Sequence, residues 1–333
     1  MSFNEKIKEK NFIKNMISFE SLEKDIFCLD FRLTSKCNYN CWYCTDMHNN
    51  KEKTLIFSIK NYKELITKLD QDIRLFLYGG EPTLHPQFID IVKCSQENLS
   101  KNSIIEIQTN LSFPTKKLEL LISKDIMNYP GKPTIKFLVS YHYGECSFKN
   151  FIKNCLILYR HKLLDQVAVM YQKKHEEIIM KNMKIMKNMF TKTSVELLPT
   201  LCGSVKENME RPYEDIDNFY KNKKALELAK NSYSFKKRLK VTLKDGSTFL
   251  VSSFDLWHNR QNTFRNMVCH VGLERLIINS NGNVYHCFNN LFDENTDPLF
   301  NINDKIPEKI NFKKIKCIYD KCYFDFNHKR YIP

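Results

Sequence analysis

The chain has 333 residues, 42% of them apolar, and a formal net charge of +14, which allows one large domain or a domain with an appendage. No window approaches 18 uninterrupted apolar residues, and residues 1–26 scatter Glu5, Lys6, Lys8, Glu9 and Lys10 among isolated apolar positions. This excludes a membrane-spanning helix and a secretory signal, so a cytoplasmic protein is expected.

In chain order, strand-length apolar runs occur at Phe27–Arg32, Ile73–Tyr78, Ile104–Thr109, Thr134–Ser140, Val167–Tyr171 and Ser194–Leu198. Helical patterns lie between them at Ile59–Leu69, Phe88–Leu99, Lys116–Ile122, Phe148–Leu163 and Glu176–Met189. Met180, Met183, Met186 and Met189 in the last of these read as a helix core face. Strands that alternate with helices predict an α/β parallel sheet curved into an open barrel, with chemistry at the carboxyl ends of the strands. After Pro199 the rhythm breaks. A polar helical stretch at Tyr213–Ala229 precedes a hairpin, Leu239–Leu243 with Thr248–Ser252, whose Asp245-Gly246 pair suits a tight turn. A second hairpin, Leu276–Asn279 with Asn283–His286, is flanked by Cys269 and Cys287. The expected division is an N-terminal extension (1–26), the barrel (27–210), a bridging helix and hairpin (211–268), and a small α+β domain (269–333).

Of the 52 basic residues 43 are Lys and nine are Arg, and they are dispersed. Base reading and bidentate phosphate grips lean on Arg. A solvated Lys-rich surface with a mild preference for anionic substrates is therefore expected, and nucleic acid is not.

Twelve cysteines without a secretory signal point to metal or redox chemistry. Cys37, Cys41 and Cys44 follow the first predicted strand, and three thiolates at this spacing can wrap one iron–sulfur cubane while leaving its fourth iron open. A structural zinc loop completed by a residue such as His48 would use the same cysteines. The next predicted strand ends in Gly79-Gly80-Glu81-Pro82, where two glycines let a ligand approach the backbone and Glu81 offers a carboxylate to an ammonium group. The two motifs on successive strands favour the catalytic reading.

With these motifs the chain, from about residue 27 to 200, resembles the radical S-adenosylmethionine (SAM) superfamily. The resemblance rests on Cys37, Cys41 and Cys44 with the aromatic Tyr43 before the last, and on the turn Gly79–Pro82. It implies a (β/α)6 partial TIM barrel in which a reduced [4Fe–4S] cluster cleaves SAM to methionine and a 5′-deoxyadenosyl radical that abstracts hydrogen from a substrate. By the same resemblance Gly79, Gly80, Glu81 and Pro82 bind the SAM amine, Asn110 contacts SAM or substrate, Ser140 meets the ribose, and Leu198 packs on the adenine. A flavodoxin- or ferredoxin-type electron donor is implied too.

The segment Cys269–Cys287 resembles the start of SPASM and twitch extensions, which hold auxiliary clusters. With Cys317 and Cys322 it implies one auxiliary [4Fe–4S] cluster, four-thiolate zinc being the alternative. Phe324 stands where relatives ending in Cys-x-Cys carry another thiol. His270 and His286 are possible donors beside these ligands, and His258 lies nearby. Beyond the fourth strand, Cys146 is a candidate hydrogen-atom donor and His142 a candidate substrate contact or proton acceptor.

Such enzymes modify small molecules or ribosomally made peptides. Only 26 residues precede the first predicted strand, too few for a leader-peptide-binding domain of about eighty residues. Oxidation, epimerisation or rearrangement of a small molecule, such as a sugar or nucleotide-sugar, is therefore expected ahead of thioether formation, carbon–carbon crosslinking or epimerisation of a peptide. A non-catalytic iron–sulfur or zinc protein that binds nucleic acid is the alternative of another class, and the Gly79–Pro82 turn argues against it.

Overall fold

The computed structural model describes residues 12–22, 26–44, 54–124, 126–199, 219–229, 239–259, 261–291, 293, 295–319, 322 and 328–332. His48, Cys202, Phe324 and the expected helical residues 213–218 lie outside them. Strand β1 (Met16–Ser21) belongs to a sheet that the C-terminal part completes. The next six strands are β2 (Phe27–Thr34), β3 (Ile73–Gly79), β4 (Ile104–Thr109), β5 (Thr134–Tyr141), β6 (Leu164–Tyr171) and β7 (Ser194–Pro199). They lie side by side in chain order, each parallel to the next, with helices between them, as the predicted alternation requires. This is the (β/α)6 partial barrel.

Period-two patterning decides which face the helices cover. Leu29, Phe31 and Leu33 of β2, Leu75 and Leu77 of β3, Ile105 and Ile107 of β4, and Phe137 and Val139 of β5 are all fully buried in one core with helix residues. Tyr62, Leu65 and Ile66 from Ile59–Lys68 and Phe151, Cys155 and Leu158 from Phe148–Arg160 supply the opposing side. The methionine run obeys helix geometry only in part. Met180, Met183 and Met186 are buried, but Met189 is 37% exposed, because a spacing of three drifts around a helix of 3.6 residues per turn. The helix Phe148–Arg160 stops before its predicted end, where Lys162 takes φ +58°.

The intervening strand positions are mixed, with Cys28, Phe76, Leu138, Ala168, Met170 and Leu198 set among polar side chains. A parallel sheet buried on both faces would read as continuous apolar runs. Here Asp30 and Arg32, Arg74 and Tyr78, Glu106 and Gln108, Lys136 and Ser140, Gln166, and Glu196 alternate with the core residues and fall on the concave side. Arg74 Nε pairs with Glu106 Oε2 at 2.7 Å across β3 and β4. The period-two alternation of these polar residues is the sequence signal for this lining.

The expected hairpins form, as β8 (Leu239–Leu243) with β9 (Thr248–Val251), and β11 (Arg275–Ile278) with β12 (Asn283–Tyr285). Their placement cuts across the expected segment boundaries. Strand β11 lies parallel to β2 and extends the barrel sheet, followed by β12 and β13 (Phe300–Asn301). The buried pair Arg275 Nε to Asp30 Oδ2, 2.9 Å, helps fix this edge. The second sheet runs β14 (Ile315–Lys316), β10 (Val268–Cys269), β15 (Arg330–Tyr331), β1, β8, β9, with β1 between β15 and β8. Within the expected N-terminal extension, Met16–Ser21 is thus a central strand. Phe12, Met16 and Phe19 join Val241, Val251, Leu256, Phe264 and Met267 in a second small core. No helix among the described residues is long and apolar enough to cross a membrane.

Candidate cluster and SAM site

The loop of Cys37, Cys41 and Cys44 leaves β2 at the carboxyl edge of the barrel and is held there by backbone. Gly80 N donates to Thr34 O at 2.8 Å and Glu81 N to Lys36 O at 2.7 Å, so the turn after β3 docks on the residues just before Cys37. A Cβ on Gly80 would lie 2.3 Å from Lys36 O and 2.7 Å from Ser35 O, and one on Gly79 would lie 2.4 Å from Thr34 O. The two glycines are therefore required by the approach of the cysteine loop itself. From the sequence, a ligand is expected to make that approach.

Glu81 also differs from expectation. Its side chain is 0% exposed and accepts from Thr83 N at 3.2 Å, Thr109 Oγ1 at 2.7 Å and Asn110 N at 2.8 Å, with Thr83 Oγ1 as a fourth donor. Burial pushes its carboxyl up, and these donors pull it back. The carboxylate ties the ends of β3 and β4 together instead of facing an open pocket. Glu81→Ala should therefore cost about 3 kcal/mol of stability by leaving buried donors unmet. Denaturant unfolding measures this. Unchanged stability with lost SAM affinity would restore the ammonium role.

Around the cysteines lies a ring of donors. Asn110 Nδ2 reaches Asn38 Oδ1 at 3.0 Å and Cys37 Sγ at 3.7 Å, and Tyr39 N donates to Cys37 Sγ at 3.4 Å. His142 Nδ1 stands 3.4 Å from Cys41 Sγ and 2.9 Å from Tyr43 OH, with the His142 and Tyr43 rings stacked at 5.9 Å. Burial pulls the His142 imidazole down to about 4, so it is neutral near pH 7. Expected at a substrate, His142 instead faces the cysteine loop. Cys146 lies beside Tyr39 from that loop, its Sγ 4.0 Å from His142 O, and burial raises its thiol. Glu145 Oε2 accepts from Asn40 N at 3.1 Å and holds the middle of the loop. Ser140 and Leu198 sit near the ends of β5 and β7, on the same edge of the barrel. Pro82 is buried at the start of a short turn of helix.

Burial first and the charge of Glu145 second push the Cys41 thiol up to about 12. A cation or cluster must displace its proton, and hydrogen bonds to sulfur favour the thiolate once it forms.

The second cysteine group also converges. Cys269 on β10, Cys287 after β12, Cys317 after β14 and Cys322 all line one cavity of about 210 Å³. Cys322 N donates to Asn262 O at 2.8 Å and Cys317 N to Met267 O at 2.9 Å, which fixes both chain segments. Burial and then the neighbouring sulfurs raise Cys287 to about 12. Among the described residues no three or more His, Cys, Asp or Glu side chains are arranged about a single metal ion. The histidines expected here are otherwise engaged. His286 places its ring nitrogens 3.1 Å from the carbonyl oxygens of Arg275 and Asn311, His270 Nδ1 lies 3.4 Å from Glu274, and His258 stacks on Tyr220 at 3.9 Å.

The two cysteine sites are coupled through the hairpin β11–β12. Ser280 Oγ at its turn lies 2.9 Å from Ser35 Oγ at the entry to the first loop, and Phe288, next to Cys287, meets Tyr78 of β3 at 6.1 Å.

Over 136 residues the chain is 30% identical to an uncharacterized protein of Methanocaldococcus jannaschii, a match that covers 39% of this chain and 48% of that protein. The match spans about half the length of that relative. Among solved structures, a tagged form of anSMEcpe with bound AdoMet superposes with a TM-score of 0.50 at 15% identity, covering 84% of this chain and 78% of that one. BtrN in complex with AdoMet and 2-DOIA gives a TM-score of 0.41 at 17% identity, with 84% and 79% covered. Residues 31–130, which include both the cysteine loop and the Gly79–Pro82 turn, match the radical SAM superfamily. Over that segment the chain is similar to the radical SAM superfamily, whose members use a [4Fe–4S] cluster together with SAM.

Proposed function

We propose that Cys37, Cys41 and Cys44 hold a [4Fe–4S] cluster whose open iron takes SAM, and that the protein abstracts hydrogen from a polar small molecule of the sugar or nucleotide-sugar kind. The observation that carries this reading is the docking of the cysteine loop on the Gly79–Gly80 turn, at the edge of a strand face that carries charged and amide side chains among apolar ones. When bound, the cluster and SAM together supply a 5′-deoxyadenosyl radical.

The chain's own residues do the rest. Asn110, Tyr39 N and His142 orient the thiolates and stabilise their charge. Tyr43 and His142 wall the loop from solvent. Gln108 and Ser140, with Arg32 and Tyr78 beside them toward the carboxyl ends of their strands, are the proposed contacts of a hydroxyl-rich substrate. The net charge of +14 suits a phosphorylated one. Cys269, Cys287, Cys317 and Cys322 are proposed to hold an auxiliary [4Fe–4S] cluster, supported by the one cavity they line. A flavodoxin- or ferredoxin-type protein is the proposed electron donor.

Anaerobically reconstituted protein is expected to bind about eight irons per chain and, when reduced, to form 5′-deoxyadenosine. Incubation with deuterium-labelled sugars and nucleotide-sugars should move deuterium into that product. Iron-loaded, fully reduced protein that leaves SAM intact contradicts the reading. Label transfer from peptides alone would reassign the substrate.

A further inference from the structure

Arg330, on the central strand β15, is 2% exposed. Its guanidinium carbon lies 4.6 Å from the ring centroid of Phe264 and 5.4 Å from that of Phe19. Nη1 donates to His328 O at 3.1 Å, and Nη2 donates to Cys322 Sγ at 3.5 Å. The same side chain lines the cavity of about 210 Å³ with Cys269, Cys287, Cys317 and Cys322. Guanidinium does not give up its charge in proteins, so the fold carries a permanent cation at this wall. A four-thiolate cluster carries negative charge, so one held in this cavity would lie beside that fixed cation.

We infer that Arg330 is the built-in counter-charge of the C-terminal cysteine site and sets the reduction potential of the group held there. The inference rests on the proposed auxiliary [4Fe–4S] cluster. Reduction adds one electron, which dithionite supplies in the titration below, and it forms or breaks no bond. The added negative charge lies in a low-dielectric site beside a fixed positive one. Arg330 therefore favours the reduced state and raises the potential.

The test is a redox titration of the full chain, followed by electron paramagnetic resonance, in a background with Cys37, Cys41 and Cys44 changed to Ala so that only the C-terminal site reports. Arg330→Gln and Arg330→Met are expected to keep about four irons. Their preference for the reduced form should fall at least tenfold, about 59 mV toward negative potential for one electron. Arg330→Lys, which keeps the charge without the planar fork, should stay within that interval of the parent. Neutral variants with full iron and an unmoved midpoint overturn the inference. If the neutral variants do not accumulate as folded protein, Arg330→Lys decides. A midpoint within tenfold of the parent supports the charge, and a drop as large as that expected for the neutral variants overturns it. Zinc, or no metal, in the parent's C-terminal site overturns the auxiliary-cluster reading instead, and iron analysis of the parent separates the two failures.

Discussion

Changing Cys37, Cys41 and Cys44 together to Ala is expected to abolish formation of 5′-deoxyadenosine and to lower bound iron from about eight to about four atoms per chain. The loss should be complete, because a cluster held by three thiolates leaves SAM nowhere else to chelate. Stability should change far less. The loop is held mainly by backbone bonds from Gly80 and Glu81 to Thr34 and Lys36, which the substitutions leave in place. Removing the thiols also removes groups whose pKa burial raises. Chromatographic assay of 5′-deoxyadenosine and iron analysis on one preparation check both parts. Undiminished cleavage in the triple variant would remove these cysteines from the chemistry.

Gly80→Ala is the second large effect, and it acts without touching a thiol. Its Cβ would stand 2.3 Å from Lys36 O and 2.5 Å from Lys36 C, both backbone atoms that no rotamer change can move aside. Relief requires the cysteine loop to lift from the β3 turn, breaking the bond from Glu81 N to Lys36 O. The expected cost is about 3 kcal/mol or more. It should come with loss of the N-terminal cluster, about four irons, and of SAM cleavage. Denaturant unfolding and iron content measure it. A Gly80→Ala protein with native stability and full iron would show that the loop does not need this approach. Gly144→Ala serves as the contrast, since nothing lies within 4 Å of the Cβ it would add. Its cost should be that of its left-handed φ of +94° alone, with the cluster retained.

These two substitutions separate what a thiol does from what the loop's position does, and Glu81 extends the same logic. The side chain with the most obvious chemical promise in Gly79–Pro82 is spent on Thr83, Thr109 and Asn110, while the glycines carry the contact to the cysteine loop. The buried carboxylate keeps β3 and β4 level, so that Asn110 can reach Asn38 and Cys37.

The residues by themselves determined the parts of this protein that depend on near neighbours. Period-two runs such as Phe27–Arg32 and Ile104–Thr109 can bury one face only as strands, and the 3.6-residue pattern between them can bury one face only as helices, so the order of the barrel follows. The spacing of Cys37, Cys41 and Cys44 lies within one loop, and the Asp245-Gly246 turn lies within four residues, where Gly246 takes φ +80°. The tertiary structure alone decided what depends on distant partners. Nothing local in Met16–Ser21 distinguishes an extension from a strand between β8 and β15, because its pairing spans more than two hundred residues. Strand β11 beside β2 is of the same kind. A carboxylate or guanidinium reads as solvated until the groups that desolvate it are known. Glu81 became structural when Thr109 and Asn110 closed on it, and Arg330 became part of the second cysteine site when Phe19, Phe264 and four sulfurs closed around it.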